Sequence, residues 1–361
     1  MLIALLKGKL IDAAYAKRLQ DYCCPACRQR VTLHHGTRVQ PYFAHRPRAA
    51  CTILGEGETQ QHLMGKRQLM AFFDSWGTVS LERILPDIQQ RADCWVERKG
   101  QRPVAIEFQC SPIMTRQVAW RTRGYQKLNV YPFWILGSRY SKQKLGWSLI
   151  ERFATWLRGW GLCLLFWDVQ RQRMRIDHHL YQDALGNYHR RTTWLLNIDE
   201  LIAGNQVPLP KLVLDYPKWR SRLARDLHTK RPAVLAIQEV LYATGHHVLD
   251  VPNFLMITTV TLPVFGQGLL LWRALVMAQL FALPVLRITG TTIDSLAVKS
   301  FKTVGGHQRA VWFSADEALH KARYSLLADL VALGYLRPIG ENWQICRRPK
   351  WVGETKNVRE R

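Results

Sequence analysis

The sequence has few acidic residues. Its 361 residues include 27 Asp and Glu against 51 Lys and Arg, which gives a formal net charge of +24 at pH 7. A globular chain this basic repels itself unless it meets a polyanion, so the composition favours nucleic acid as the partner and an anionic membrane surface as the second choice. The plain alternative is a basic enzyme that has no polyanionic partner.

Low-complexity and strongly polar stretches are also missing. The 48% hydrophobic and 22% charged residues exclude a disordered chain and predict a sizeable packed core. At roughly 150 residues per domain, a chain of this length is expected to form two or three domains.

The sequence shows no secretory signal and no clean membrane span. The apolar start, 1–6, meets Lys7 and Lys9 too early for a signal peptide, so we expect none here. The stretch 251–272 carries no charge and is long enough to cross a bilayer. Pro, Gly, Asn, Thr and Gln residues interrupt it, so we predict a buried strand followed by a buried helix and no membrane span.

The eight cysteines do not form a regular disulfide pattern. Without an export signal, their crowding near residue 24 indicates metal chemistry. Cys24 and Cys27 form a C-x-x-C pair, and His45 and Cys51 supply a second pair, so we predict a structural Zn²⁺ site with four protein ligands. The alternative is buried reduced cysteines beside surface histidines. Three further residues stay open as competing ligands: Cys23, His34 and His35.

Hydrophobic periodicity predicts a mixed α/β core after this first region. The predicted elements, in order, are a helix at 58–76, strands at 78–85, 91–97 and 103–109, a helix at 113–128 and a strand at 131–137. The second and third strands flank a short turn and are expected to form a hairpin. Helix, three strands, helix, strand is an order typical of a central mixed sheet.

The rest of the chain is expected to add a helix at 142–160 and a second hairpin at 162–168 and 173–181. Residues 205–210 are short, uncharged and Pro-bearing, which is typical of a linker. The final part is mainly helical and ends in a helix at 318–333 followed by a hairpin, a pattern that winged helices share with other helix-hairpin units. The predicted regions are 1–56, 57–140, 141–205 and 206–361.

Three acidic residues lie where a metal-dependent nucleic-acid enzyme would need them. Residues 101–150 carry eight bases and a single acid, Glu107, which lies in an otherwise apolar strand with Gln109 on the same face. Asp93 lies on the other arm of the hairpin, and Glu58 lies on the preceding helix. Carboxylates in this arrangement are suited to hold Mg²⁺ against a phosphodiester. The alternative for Glu107 is a buried ion pair with an arginine.

The predicted helix at 113–128 mixes cations with aromatic residues, as in surfaces that track a nucleic-acid backbone and stack its bases. The alternative is a solvated helix face with Trp120 in the core. The residues predicted to contact DNA on this helix are Arg116, Arg121, Arg123, Tyr125 and Lys127.

Seven fragments occur in a specific order along residues 4–140. They are Cys24-x-x-Cys27, Tyr42-Phe43-Ala44-His45, Glu58-Thr59-x-x-His62-x-x-x-Lys66, Arg91-Ala92-Asp93, Ala105-Ile106-Glu107-Phe108-Gln109-Cys110-Ser111-Pro112-Ile113, Arg121-x-x-x-Tyr125 and Trp134-Ile135-Leu136-Gly137. Taken together, they resemble the competence protein CoiA family. The resemblance implies a zinc-finger-like N-terminal region followed by a nuclease-like domain of the PD-(D/E)xK superfamily, with a restriction-endonuclease-like mixed sheet.

The resemblance also implies a function and site residues. It implies a cytoplasmic protein that acts on DNA taken up in natural transformation, single-stranded or branched, and that works with recombination proteins. It implies Mg²⁺ at Asp93 and Glu107, with Glu58 completing the site and Gln109 orienting the nucleophile. The superfamily usually has Lys where Gln109 stands, so Lys66, Arg121 or Lys127 is a candidate to supply the missing charge. Lys66 is also predicted to contact DNA.

Two alternatives follow from the same residues. Pro86-Asp87 spells the superfamily letters, but Asp93 is preferred because its strand pairs with that of Glu107. Because of Gln109, a non-catalytic DNA-binding adaptor that recruits recombination proteins is the alternative to a nuclease.

Overall fold

The fold is described from a computed structural model. The structure describes residues 1–36, 39–46, 51, 59–205, 208, 214–256 and 259–351. The chain divides into two compact units, one formed by residues 1–178 and 191–206 and the other by residues 179–190 and 207–361. The predicted linker at 205–210 begins where the first unit ends.

The first unit begins with a small antiparallel sheet that the cysteine pattern did not predict. Its strands are β1 (Ile3–Leu6), β2 (Lys9–Asp12), β3 (Tyr22–Cys23), β4 (Arg30–His34) and β5 (Tyr42–His45), in the order β2-β1-β3-β4-β5. Tyr22 and Phe43 pack together in its core beside Cys24. The C-x-x-C turn therefore lies on a sheet with its own small core.

The central part of the first unit has the predicted order of helix, three strands, helix and strand. The elements are α1 (Gln60–Phe73), β6 (Thr78–Leu85), β7 (Gln90–Glu97), β8 (Val104–Gln109), α2 (Thr115–Lys127) and β9 (Tyr131–Leu136). Every residue of β8 is buried, as its apolar sequence predicts. The predicted mixed α/β fold is confirmed.

The sheet continues beyond residue 140. The further elements are α3 (Ser138–Ser141), α4 (Trp147–Phe153), β10 (Thr155–Leu157), β11 (Gly161–Asp168), β12 (Arg173–Gln182), β13 (Tyr188–Leu195) and α5 (Ile198–Ala203). The strand order is β13-β12-β11-β9-β8-β7-β6, with β10 paired to β11. β9 is parallel to both β8 and β11. The second hairpin thus extends the same sheet.

The prediction of a long helix at 142–160 is wrong. Gly146 interrupts it with an extended backbone, and α4 is only seven residues long. The apolar residues after α4 pair with β11 as a strand, because burial against the sheet outweighs their helical spacing.

The second unit is mainly helical, as predicted for the C-terminal region. Its elements are α6 (Tyr216–His228), α7 (Pro232–Tyr242), α8 (Leu269–Ala282), β14 (Arg287–Thr289), α9 (Gly290–Thr303), α10 (Asp316–Ala332), β15 (Leu336–Ile339) and β16 (Asn342–Ile345). The short sheet has the order β14-β16-β15. Helix, strand, two helices and a hairpin that pairs back to the first strand is the connectivity of a winged helix.

Within the uncharged stretch 251–272, residues 268–272 are buried while Asn253 and Thr259 are exposed, and the strand predicted in it is wrong for its described residues. They form a short 3₁₀ turn at Asn253–Leu255, a single β-bridge from Thr261 to Gln182, and the start of α8. Every residue of α8 from Leu269 to Phe281 is buried. Within the described residues, the structure contains no helix long and apolar enough to cross a membrane.

The helix α1 lies unusually close to the sheet at Gly65. A Cβ added there would lie 2.0 Å from Cε1 of Phe108 on β8. Only glycine permits this approach, which brings the side chains of His62 and Lys66 to the carboxylates of β6 and β7.

Candidate functional site

The candidate site lies where the pairing of β7 and β8 stops. The antiparallel ladder ends at Cys94 and Ile106, so Asp93 and Glu107 occupy the next opposed positions. Oδ2 of Asp93 instead accepts the N–H of Phe108 at 2.9 Å. Both carboxylates are buried, with Asp93 8% and Glu107 4% exposed. The structure therefore brings the two predicted metal ligands next to each other on adjacent strands.

Asp93 is held by two basic residues of α1. Nε2 of His62 lies 3.0 Å from Oδ2, and Nζ of Lys66 lies 3.9 Å from Oδ1. Burial by itself would raise the pKa of Asp93, but the charges of His62 and Lys66 and the N–H of Phe108 hold it below its usual range. Asp93 is therefore ionised at neutral pH.

Lys66 is fully buried and forms its main contact with Glu82, a residue that the sequence analysis missed. Nζ of Lys66 lies 2.5 Å from Oε1 of Glu82, which also accepts the N–H of Leu2 at 2.8 Å. Glu82 lies in β6, opposite Asp93 in the register, with a left-handed backbone (φ +55°). Such a conformation costs about 1–3 kcal/mol in a residue other than glycine, so the surrounding contacts must hold it. In the sequence, Glu82 stands beside Arg83 and no local pattern marks it as buried.

The prediction that Lys66 contacts DNA is wrong, because its ammonium is 0% exposed and is enclosed by carboxylates. Its other predicted role, to supply the charge that Gln109 lacks, stays a prediction; its ammonium lies 3.9 Å from Oδ1 of Asp93.

Glu107 faces α2 and is bound there by Arg121 and Tyr125. Nη2 of Arg121 lies 2.5 Å from Oε1 of Glu107 and 3.0 Å from the carbonyl oxygen of Arg91. The hydroxyl of Tyr125 donates to the same carboxylate oxygen. Burial raises the pKa of Glu107 above its ordinary value, and the guanidinium of Arg121 offsets this only in part. The ion-pair alternative for Glu107 is thus the contact that the structure contains.

Two further predicted site residues, Gln109 and Glu58, and the rejected alternative Asp87 remain to be placed. Gln109 is buried, and its Nε2 donates to the carbonyl oxygen of Ser111 at 2.8 Å. Glu58 lies outside the described residues. Asp87 is exposed in a 3₁₀ turn at the end of β6, away from the paired carboxylates.

The cations of α2 divide between two faces of the helix. Arg116, Trp120, Arg123 and Lys127 are exposed and recur at i, i+4, i+7 and i+11, so they share one face. Tyr125 is fully buried on the opposite face, where Arg121 also points. The prediction that Tyr125 stacks on DNA bases is therefore wrong, while Arg116, Arg123 and Lys127 remain predicted contacts. We call these three and Trp120 the α2 stripe.

A second site lies in the N-terminal sheet. The ligand atoms of Cys24, Cys27, His45 and Cys51 all lie within 4.8 Å of one another, and Sγ of Cys27 is 3.3 Å from Nε2 of His45. Burial raises the pKa of Cys24 to about 11, with the neighbouring Cys51 adding to the effect. A cation would offset this penalty on the thiolates. The four atoms can thus hold one metal ion.

The cluster selects among the ligands left open by the sequence. It includes none of Cys23, His34 and His35. The ring of His34 instead stacks on Tyr42 with 4.9 Å between ring centres.

Two family models match this chain, one over each of the two sites. Residues 9–54 match the model of the competence protein CoiA N-terminal domain, and residues 58–200 match that of the competence protein CoiA nuclease-like domain. The chain belongs to the competence protein CoiA family. The two matched segments contain the Cys/His cluster and the carboxylate site, respectively.

One curated relative extends the comparison. The chain is 32% identical over 135 residues to Competence protein CoiA of Bacillus subtilis (strain 168). The match covers 37% of this chain and 35% of the relative, so it spans about a third of the relative's length. No solved structure gives a significant match.

Proposed function

We propose that this protein acts on DNA taken up in natural competence and that its nuclease-like domain is a Mg²⁺-dependent deoxyribonuclease. The observation that carries the proposal is the placement of Asp93 and Glu107 at opposed positions where β7 and β8 stop pairing. The family membership and the net charge of +24 support DNA as the substrate.

The donor set of this site fits Mg²⁺, because carboxylate oxygens from adjacent strands are the ligands that this ion prefers. Asp93 and Glu107 would hold it. When bound, Mg²⁺ supplies an activated water and stabilises charge on the leaving oxygen.

The protein's own side chains set the charge of the site. Lys66 supplies a fixed positive charge beside Asp93 and stands in for the lysine that the superfamily has at Gln109. Arg121 neutralises Glu107 and Tyr125 donates a hydrogen bond to it, so both residues must share this carboxylate with the metal. In the N-terminal sheet, Cys24, Cys27, His45 and Cys51 would hold a structural Zn²⁺, since thiolate and imidazole are the usual ligands of that ion.

The test is cleavage of single-stranded, duplex and branched DNA with Mg²⁺ or Mn²⁺. The variants Asp93→Asn and Glu107→Gln keep the side-chain shapes, and Asp87→Asn serves as the control because Asp87 is exposed and outside the site. We expect cleavage that Asp87→Asn retains and the other two lose by at least about 100-fold. Cleavage that survives both site variants would contradict the proposal.

A non-catalytic DNA-binding adaptor is the second candidate. The observation in its favour is that Glu107 is already paired with Arg121, while the α2 stripe lies on the opposite face of α2. On this alternative, DNA binding is tight and weakens with salt, no substrate is cleaved, and Arg123→Ala weakens binding. Recruitment of recombination proteins would then be the activity to measure.

A further inference from the structure

The second unit contains a cavity that the carboxylate site and the Cys/His cluster do not involve. Its volume is about 450 Å³, and it is lined by residues 183–189 and by α6. This volume falls in the range of small-molecule pockets, roughly 300–1,000 Å³. Leu185 and Trp219, both buried, form its apolar side.

Three cations of α6 line the same cavity. Lys218, Arg222 and Arg225 recur at i, i+4 and i+7, which places them on one face of the helix. In the described part of the chain, no carboxylate forms an ion pair with any of the three. Arg222 is held in place by neutral acceptors, the side-chain oxygen of Asn187 at 3.2 Å and the carbonyl oxygen of Leu185 at 3.1 Å. A guanidinium positioned in this way retains its charge for a ligand.

His189 is held rigidly at the cavity. Its Nε2 donates to Oδ2 of Asp183 at 2.8 Å, and its ring stacks on Tyr181 with 5.0 Å between ring centres. The carboxylate of Asp183 also accepts the backbone N–H groups of Leu185 and Asn187 and the amide of Asn187. Four donors satisfy this carboxylate, which orients His189 and, among the described residues, forms its ion pair with His189 and not with α6.

The other acid in the lining also has an internal partner. Oδ1 of Asp215 accepts the backbone N–H of Lys218 at 3.0 Å and caps α6. The cavity therefore combines two fixed groups, Arg222 and His189, with two exposed cations and an apolar wall.

We propose that this cavity binds a phosphomonoester, either a free nucleotide or the phosphorylated end of a nucleic acid. Arg222 and His189 would hold the phosphate, Lys218 and Arg225 would close around it, and the base would lie against Trp219. Arginine suits this role because its planar fork matches phosphate oxygens. A cavity of about 450 Å³ accommodates one nucleotide and not an extended strand. The site lies outside the proposed nuclease centre, so either proposal can fail without the other.

The test is calorimetric titration of the full chain with deoxyadenosine 5′-monophosphate and with deoxyadenosine. We expect binding of the nucleotide and at least about tenfold weaker binding of the nucleoside. The double variant Lys218→Ala, Arg225→Ala should weaken nucleotide binding about tenfold, and both residues are exposed, so folding is preserved. Arg220→Ala is the matched control, because Arg220 is exposed on α6 but does not line the cavity.

A second titration distinguishes the two sources of phosphate. Oligonucleotides with a 5′-phosphate or a 5′-hydroxyl are compared on the same variants. If the 5′-phosphate strengthens oligonucleotide binding and the double variant Lys218→Ala, Arg225→Ala loses this difference, the site binds nucleic-acid ends. If the nucleotide binds but the 5′-phosphate makes no difference to oligonucleotide binding, the site binds free nucleotides. Equal affinity for nucleotide and nucleoside, no binding of either, or an equal loss in Arg220→Ala would overturn the proposal.

Discussion

The buried pair of Lys66 and Glu82 gives the sharpest test of how the carboxylate site is held together. We consider Glu82→Gln, which keeps the shape of the side chain and removes its charge. Lys66 is 0% exposed and the side chain of Glu82 is 2% exposed, with 2.5 Å between Nζ and Oε1. The variant leaves the ammonium buried beside a neutral amide.

The expected cost follows from the geometry. Removing one partner of a buried ion pair costs about 3–5 kcal/mol. Lys66 still has Asp93 at 3.9 Å, so we expect the lower end, about 3 kcal/mol. For a unit of this size, that loss lowers the midpoint of thermal unfolding by about 6–12 °C.

Urea and thermal unfolding of the purified variant measure this loss. The control is Asp21→Asn, since Asp21 pairs with Arg30 at the surface, where the side chains are 76% and 65% exposed, and should change stability by less than about 1 kcal/mol. The double variant Glu82→Gln, Lys66→Met removes both charges and should recover much of the loss. A loss below about 1 kcal/mol, or a double variant no more stable than Glu82→Gln, would refute the reasoning.

Four further outcomes are expected. Gly65→Ala should lower the free energy of unfolding by about 1–3 kcal/mol, because its Cβ would overlap the ring of Phe108. An unchanged unfolding midpoint would contradict the close approach of α1 to β8. Tyr125→Phe should cost about 1–3 kcal/mol in urea unfolding, because it removes a donor to buried Glu107. The pKa values of Glu82 and Asp93 lie below their ordinary values, so the stability they contribute is present above about pH 4.5 and is lost as the pH falls further; unfolding midpoints measured from pH 7 to 3 should decline in that window, and less so in Glu82→Gln. Metal analysis should find about one equivalent of zinc, and a strong chelator should lower the unfolding midpoint of the wild type but not of a Cys27→Ser variant.

The sequence located most of the elements around the carboxylate site because each has a clear local signal. The apolar run of β8 with Glu107 in it, and the neighbouring strand with Asp93, predicted the hairpin that pairs them. The four predicted metal ligands of the N-terminal region also lie together, because a C-x-x-C turn fixes two of them locally.

Other parts of the site had no local signal. Nothing in the local sequence marks Glu82 as buried; the contact with Lys66 between α1 and β6 reveals it. The helix α2 was predicted as a single basic surface, but the fold turns Arg121 and Tyr125 inward to Glu107. The prediction of a helix at 142–160 was wrong because tertiary pairing decided the structure there: part of this segment pairs with β11 in spite of its helical pattern.

The sequence by itself located the residues proposed to carry the chemistry: the Cys and His residues of the N-terminal cluster, the carboxylates of Asp93 and Glu107, and the excess of cations. Short-range spacing is sufficient for that, because strand alternation and helical periodicity are local properties. Only the tertiary structure decided which cations neutralise which carboxylates. Burial makes each of those charges costly unless a partner from another element meets it, and no spacing along the chain specifies that partner.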